Sequence, residues 1–143
     1  MVFIPNPYFS ITLICFITVF IIMSYGLVKC YIPQYVDPLT VKIASTPFNL
    51  LRDGWAISHF VLFAILGYLY PQLQYMLYAS LLGVLWEYTE YNIKDTSIFP
   101  SACIDNMVSH NSGRWWYGRW QDVAMNTLGL LVGACVKNML NGL

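Results

Sequence analysis

The sequence predicts an all-α integral membrane bundle of about four transmembrane helices, and three observations lead there. The 143 residues are 58% hydrophobic and only 10% charged, whereas a soluble domain carries about 25% charged and about 45–50% apolar residues. The apolar residues are gathered into long runs, and the ionisable side chains collect where those runs end. A chain this short still exposes much of its surface after folding, so one small soluble core has no room for that apolar content. A bilayer has.

The first run, residues 9–28, is free of charge and long enough to cross about 30 Å of hydrocarbon. The residues before it hold no Lys or Arg and no small-residue cleavage site follows, so a retained anchor helix is expected rather than a removed signal. The second run covers about 54–70 and stops at Pro71. The third, about 72–91, follows at once, which implies a tight antiparallel hairpin around Pro71. The fourth covers about 122–140 and contains Gly129-Leu130-Leu131-Val132-Gly133, a G-x-x-x-G pattern that lets helix backbones approach closely. Packing within the chain is the first expectation for it, and a homo-oligomer through Gly129 and Gly133 the second.

Residues 1–143 therefore read as a single membrane domain, with loops 29–53 and 92–121 on the same side. The second loop ends in Arg114-Trp115-Trp116-Tyr117-Gly118-Arg119-Trp120, an aromatic and basic run suited to the head-group level. Lys29, Lys42, Arg52, Lys94, Arg114 and Arg119 lie in the two loops, and Lys137 alone lies towards the other side. By the positive-inside rule the loops are expected in the cytoplasm and both termini opposite.

Several classes are excluded or disfavoured. Net charge is zero, with seven basic and seven acidic side chains, which offers no nucleic-acid surface. Cys15, Cys30, Cys103 and Cys135 form no C-x-x-C, so neither a zinc knuckle nor a redox pair is indicated. There is no D-x-x-D-G of lipid alcohol phosphotransferases, no lipid-phosphatase signature and no G-x-S-x-G for a serine nucleophile. With His59 and His110 as the only histidines, the His-rich boxes of membrane desaturases are absent. His110 falls in a polar loop and reads as solvent-exposed.

Ionisable groups inside apolar spans are costly, so each is a functional candidate. Asp53 opens the second run and His59 lies six residues on, roughly 9 Å deeper at 1.5 Å per residue. Glu87 and Glu90, at i and i+3, share a face near the end of the third run. Arg119, Asp122 and Asn126 open the fourth, the last two at i and i+4. Alternating span direction brings all of these to one end of the bundle. Taken singly, Asp53, Asp122 and Arg119 read equally well as helix-end residues favoured by the dipole or the interface. Two glutamates in one turn are harder to explain without a proton or a cation.

Chemically, Asp53, His59, Glu87, Glu90 and Asp122 are candidate ligands for a divalent metal ion. Carboxylate oxygens suit magnesium, calcium or manganese, and the imidazole leans towards zinc or iron. His59, Glu87, Glu90 and Asp122 are the candidate acid–base groups. Arg119, Asn126 and Arg114 are the candidate substrate-binding groups, the arginines by bidentate contact with a phosphate or carboxylate. A structural salt-bridge network uses the same residues with no chemistry.

At these residues the sequence resembles the VanZ-like superfamily of small multi-pass membrane proteins. The resemblance rests on Asp53 to His59, on Glu87, and on Arg119-Trp120-Gln121-Asp122-Val123-Ala124-Met125-Asn126-Thr127-Leu128-Gly129. Trp86-Glu87-Tyr88-Thr89-Glu90 and the Ser58-His59 pair look like a related bacterial group of membrane proteins that joins an aromatic-S-H helix start to W-E-x-x-E. It covers about residues 52–133. The family is associated with reduced susceptibility to a glycopeptide antibiotic, so the resemblance implies a shared polar site without supplying a reaction. The leading expectation is a polar, metal-capable site at the membrane interface that binds or acts on a lipid head group. The alternative is a non-catalytic structural or assembly protein of a cellular or viral membrane.

Overall fold

A computed structural model describes residues 6–32, 38–40, 43, 50, 53–93 and 118–142. Among them the protein is all-α, with helices α1 (Pro7–Tyr31), α2 (Gly54–Leu69), α3 (Leu73–Ile93) and α4 (Trp120–Asn141) and a short 3-10 turn at Pro38–Thr40. Each of the four apolar runs coincides with one helix, although α1 and α3 extend a few residues into what the sequence reads as loop.

Local chemistry sets the ends. Asn6 caps α1 by accepting from the Tyr8 N–H at 3.0 Å, and Pro7 follows in the first turn, where a missing N–H removes no helical bond. Asp53 caps α2, its Oδ1 accepting from the Ala56 N–H at 3.2 Å. The residue before a proline is driven out of the helical region, so α2 ends at Leu69 and the chain turns through 70–72 around Pro71. Asp122 occupies the first turn of α4, where the helix dipole favours a carboxylate.

The helices alternate in direction. At one end Tyr8 of α1 meets Tyr75 and Tyr78 of α3 edge-on, with ring centroids 5.0 and 5.2 Å apart. Tyr70, just past α2, lies 6.2 Å from Tyr75, and Lys137 of α4 sits 4.9 Å over the Tyr68 ring. At the other end Tyr25 of α1 packs 5.8 Å from Trp55 of α2. A small apolar core of Ile11, Phe63, Leu66, Ala79 and Leu130 lies between.

The α2–α4 seam is the tightest contact. A Cβ on Gly129 or Gly133 would collide with the carbonyl oxygens of Phe60 and Ala64, and one on Gly67 with that of Leu130. The G-x-x-x-G face is therefore used inside the chain, against α2, and a second copy cannot use it at the same time.

Outside, the usual pattern is inverted. Ile57, Val61, Ile65 and Leu69 form an exposed i, i+4 stripe on α2, as do Leu73, Leu77, Leu81 and Leu85 on α3. On α4 the stripe is Leu128, Val132, Val136 and Leu140, and α1 exposes Phe9, Phe16, Phe20 and Ile21. The buried polar side chains, by contrast, are Asp53, Glu87, Asp122 and Asn126. Two helices, Pro7–Val28 of α1 and α4, are long and apolar enough on their own to cross a membrane. α2 has 16 residues, about 24 Å at 1.5 Å per residue, and α3 carries two carboxyls in its last turns.

Candidate functional site

The polar side chains meet where α2 begins, α3 ends and α4 begins. Arg119 is the centre of the network. Its backbone N–H donates to Glu87 Oε2 at 2.9 Å, and its Nε and Nη2 donate to the two oxygens of Asp122 at 3.0 and 3.1 Å. Its Nη1 lies 3.6 Å from Asp53 Oδ2. One residue thereby ties together carboxylates from three helices. Gly118 makes this approach feasible, because a Cβ there would collide with the Glu87 carbonyl oxygen.

Deeper in the bundle, His59 Nδ1 is 3.0 Å from Asn126 Oδ1 and 3.7 Å from Glu87 Oε1. With the amide oxygen as acceptor, Nδ1 is the donor. Glu87 Oε1 is buried and accepts no hydrogen bond from the described residues. Such an atom in a buried carboxylate is costly and calls for an explanation.

Asp53, His59, Glu87, Arg119, Asp122 and Asn126 are thus brought together, as the sequence suggests, but their roles divide differently. The Arg119 fork is engaged by Asp122 and Asp53, so it is a clamp on acids rather than an open anion receptor. Asp53 is a helix cap paired with Arg119. The ligand-capable atoms that lie within 4.8 Å of one another belong to His59, Glu87 and Asp122, so the five-residue metal set narrows to three. Glu90 is half-buried one turn beyond Glu87, near enough for the charges of Glu87, Asp122 and Arg119 to act on it, yet outside that group. Arg114 and His110 lie outside the described residues.

Beside the cluster a groove of about 180 Å³ opens between the helices. Val19 and Ile22 of α1, Trp55 and Leu62 of α2, and Leu82 and Trp86 of α3 form its walls. Thr18 and Ser58 also line it, but their hydroxyls donate to backbone carbonyls of their own helices. His59 and Asn126 stand at its polar edge. The groove exceeds the ~150 Å³ apolar cavities that accept a benzene-sized guest.

Neither the groove nor the role of Gly118 was evident from sequence. The signal for Gly118 was its position between Tyr117 and Arg119 in a run otherwise made of bulky side chains. The groove carries no such signal, because its walls are the same residue types that face outward. Chemically, the arrangement offers an imidazole at the edge of an apolar groove, with a buried carboxylate oxygen behind it. No protein-family model, curated protein or solved structure matches the chain.

Proposed function

We propose that this is a four-span, VanZ-like membrane protein that binds a membrane lipid, with the hydrocarbon chain in the groove and the head group at the polar cluster. The loops lie in the cytoplasm and both termini on the opposite side. The observation that carries the proposal is the groove, whose walls are apolar and whose edge meets His59 and Asn126 beside the buried carboxylates. The exposed i, i+4 stripes on α2 and α3 as well as on α1 and α4 support four spans, since monomeric soluble proteins seldom expose apolar patches of more than a few hundred Å². A 16-residue α2 fits a span when its polar start sits at head-group depth and neighbouring helices shield it.

A second reading has an observation of its own. Arg119 ties Asp53, Glu87 and Asp122 together, which favours a structural lock in a non-catalytic membrane protein. Lipid mass spectrometry of the protein purified in mild detergent separates the two. Leu62→Trp and Leu82→Trp, which fill the groove without touching the charges, are expected to lower a specific co-purifying lipid about tenfold, corresponding to ~1.4 kcal/mol. A lipid profile that matches bulk membrane in the wild type, or that neither substitution changes, favours the lock.

A further inference from the structure

We infer that His59, Glu87 and Asp122 form a binding site for one divalent transition-metal ion of nitrogen and oxygen preference. Three helices supply one group each, and their ligand atoms lie within 4.8 Å of one another. The independent pointer is Glu87. It is 5% exposed, and its Oε1 is buried, accepts no hydrogen bond from the described residues and faces His59 Nδ1 at 3.7 Å. Around a tetrahedral ion with bonds of about 2.0–2.2 Å, neighbouring ligand atoms are about 3.4 Å apart. Bridging Nδ1 and Oε1 therefore needs a closure of about 0.3 Å, and the widest separation in the group, up to 4.8 Å, needs a side-chain shift of up to about 1.4 Å.

The charges favour the same conclusion. Among the described residues, the carboxylates of Asp53, Glu87 and Asp122 are buried around Arg119, the first and last beside its guanidinium and Glu87 on its backbone N–H. Buried carboxylates so gathered need protons or cations as partners. Metal binding would displace the Nδ1 proton of His59 and leave the Asn126 amide oxygen, now 3.0 Å from Nδ1, as a neighbouring fourth donor. Asp122 has both oxygens on Arg119 but keeps a second lone pair on each. One imidazole with two carboxylates suits manganese or zinc better than calcium or magnesium.

The site also bears on the lipid proposal, and this step rests on that reading. The Arg119 fork is already engaged by Asp122 and Asp53, so a dication bound at His59 would add a positive charge at the groove edge to meet an anionic head group. The ion-binding test does not depend on lipid. Wild-type protein in detergent, stripped with a chelator, is titrated with Mn²⁺ and Zn²⁺. About one ion per chain is expected, and the Mn²⁺ form should show nitrogen modulation in pulsed electron paramagnetic resonance from the coordinated imidazole. His59→Ala and Glu87→Gln, checked as folded by size exclusion and circular dichroism, should bind at least ~10–100-fold more weakly. Val136→Ala, on the exposed stripe of α4, should bind as wild type. The inference is overturned by a folded wild type without saturable uptake, by a bound Mn²⁺ without nitrogen modulation, or by undiminished binding in both ligand variants. Failure of the lipid reading appears only in the groove variants' lipid content, so the two are told apart.

Discussion

α1 and α4 are both long and apolar, yet they are held in opposite ways. The best window of α1 has a mean hydropathy of 2.5 with 11% of it buried inside the protein, while that of α4 has 1.4 with 33% buried. In water the more hydrophobic helix would be the better buried one. In lipid an apolar side chain gains little by exchanging acyl chains for protein, so helices associate through small residues and polar contacts. α4 has both, in Gly129, Gly133, Asp122 and Asn126. α1 contributes the buried Ile11 to the core and is otherwise attached by Tyr8 and Tyr25 ring contacts and, among the described residues, by a side-chain hydrogen bond to α3, between Thr12 and Tyr78 at 2.8 Å.

Removing the charge that organises the start of α4 should give the largest effect. Arg119→Ala leaves Asp53 and Asp122 buried without their cation, and breaking a buried pair by deleting one partner costs about 3–5 kcal/mol. Arg119→Lys keeps the charge but not the fork that grips both Asp122 oxygens, so it should fall between alanine and wild type. Denaturation in mixed micelles measures both. A loss below about 1 kcal/mol for the alanine variant would mean that the network does not secure α4, and the contrast with α1 would fail.

How far the site was legible follows from the same contrast. A polar or ionisable side chain inside an apolar run is visible in any sequence, so Asp53, His59, Glu87, Asp122 and Asn126 stood out, and alternating helix direction put them at one end. What Arg119 does was not legible. Whether a guanidinium holds a ligand or clamps neighbouring acids is decided by distances of 3.0–3.6 Å that spacing does not encode. The separation of Asp53 from the metal-capable group was half-legible. Asp53 opens the run as its cap and His59 lies about 9 Å deeper along α2, so the two need not meet at one ion. The G-x-x-x-G pattern announced close packing without naming its partner, which α2 provides through Phe60 and Ala64.

The next effect in size tests that seam directly. Gly133→Leu drives a side chain into the Ala64 carbonyl, which is backbone and cannot step aside. Overpacking costs about 1–3 kcal/mol, and the upper part of that range is expected here, with a loss of folded monomer on size exclusion. The matched change on α1, Phe16→Leu at a side chain 68% exposed, should stay within about 0.5 kcal/mol, as surface changes do. Equal losses at the two positions would mean that α1 is packed as closely as α4.

The smallest effect is expected where α1 meets α3. Thr12 Oγ1 donates to the Tyr8 carbonyl at 2.8 Å, so in its contact with Tyr78 the phenol is the donor and the threonine oxygen the acceptor. Tyr78→Phe removes that donor and keeps the ring, including its edge contact with Tyr8. The Thr12 hydroxyl stays bonded to its own helix, so no buried group is orphaned. The loss should be about 0.5–1 kcal/mol, the net worth of one such bond, with the Arg119 network and ion uptake unchanged. A loss above about 2 kcal/mol would show α1 held by a directional polar contact after all, and the two helices would then differ in degree rather than in kind.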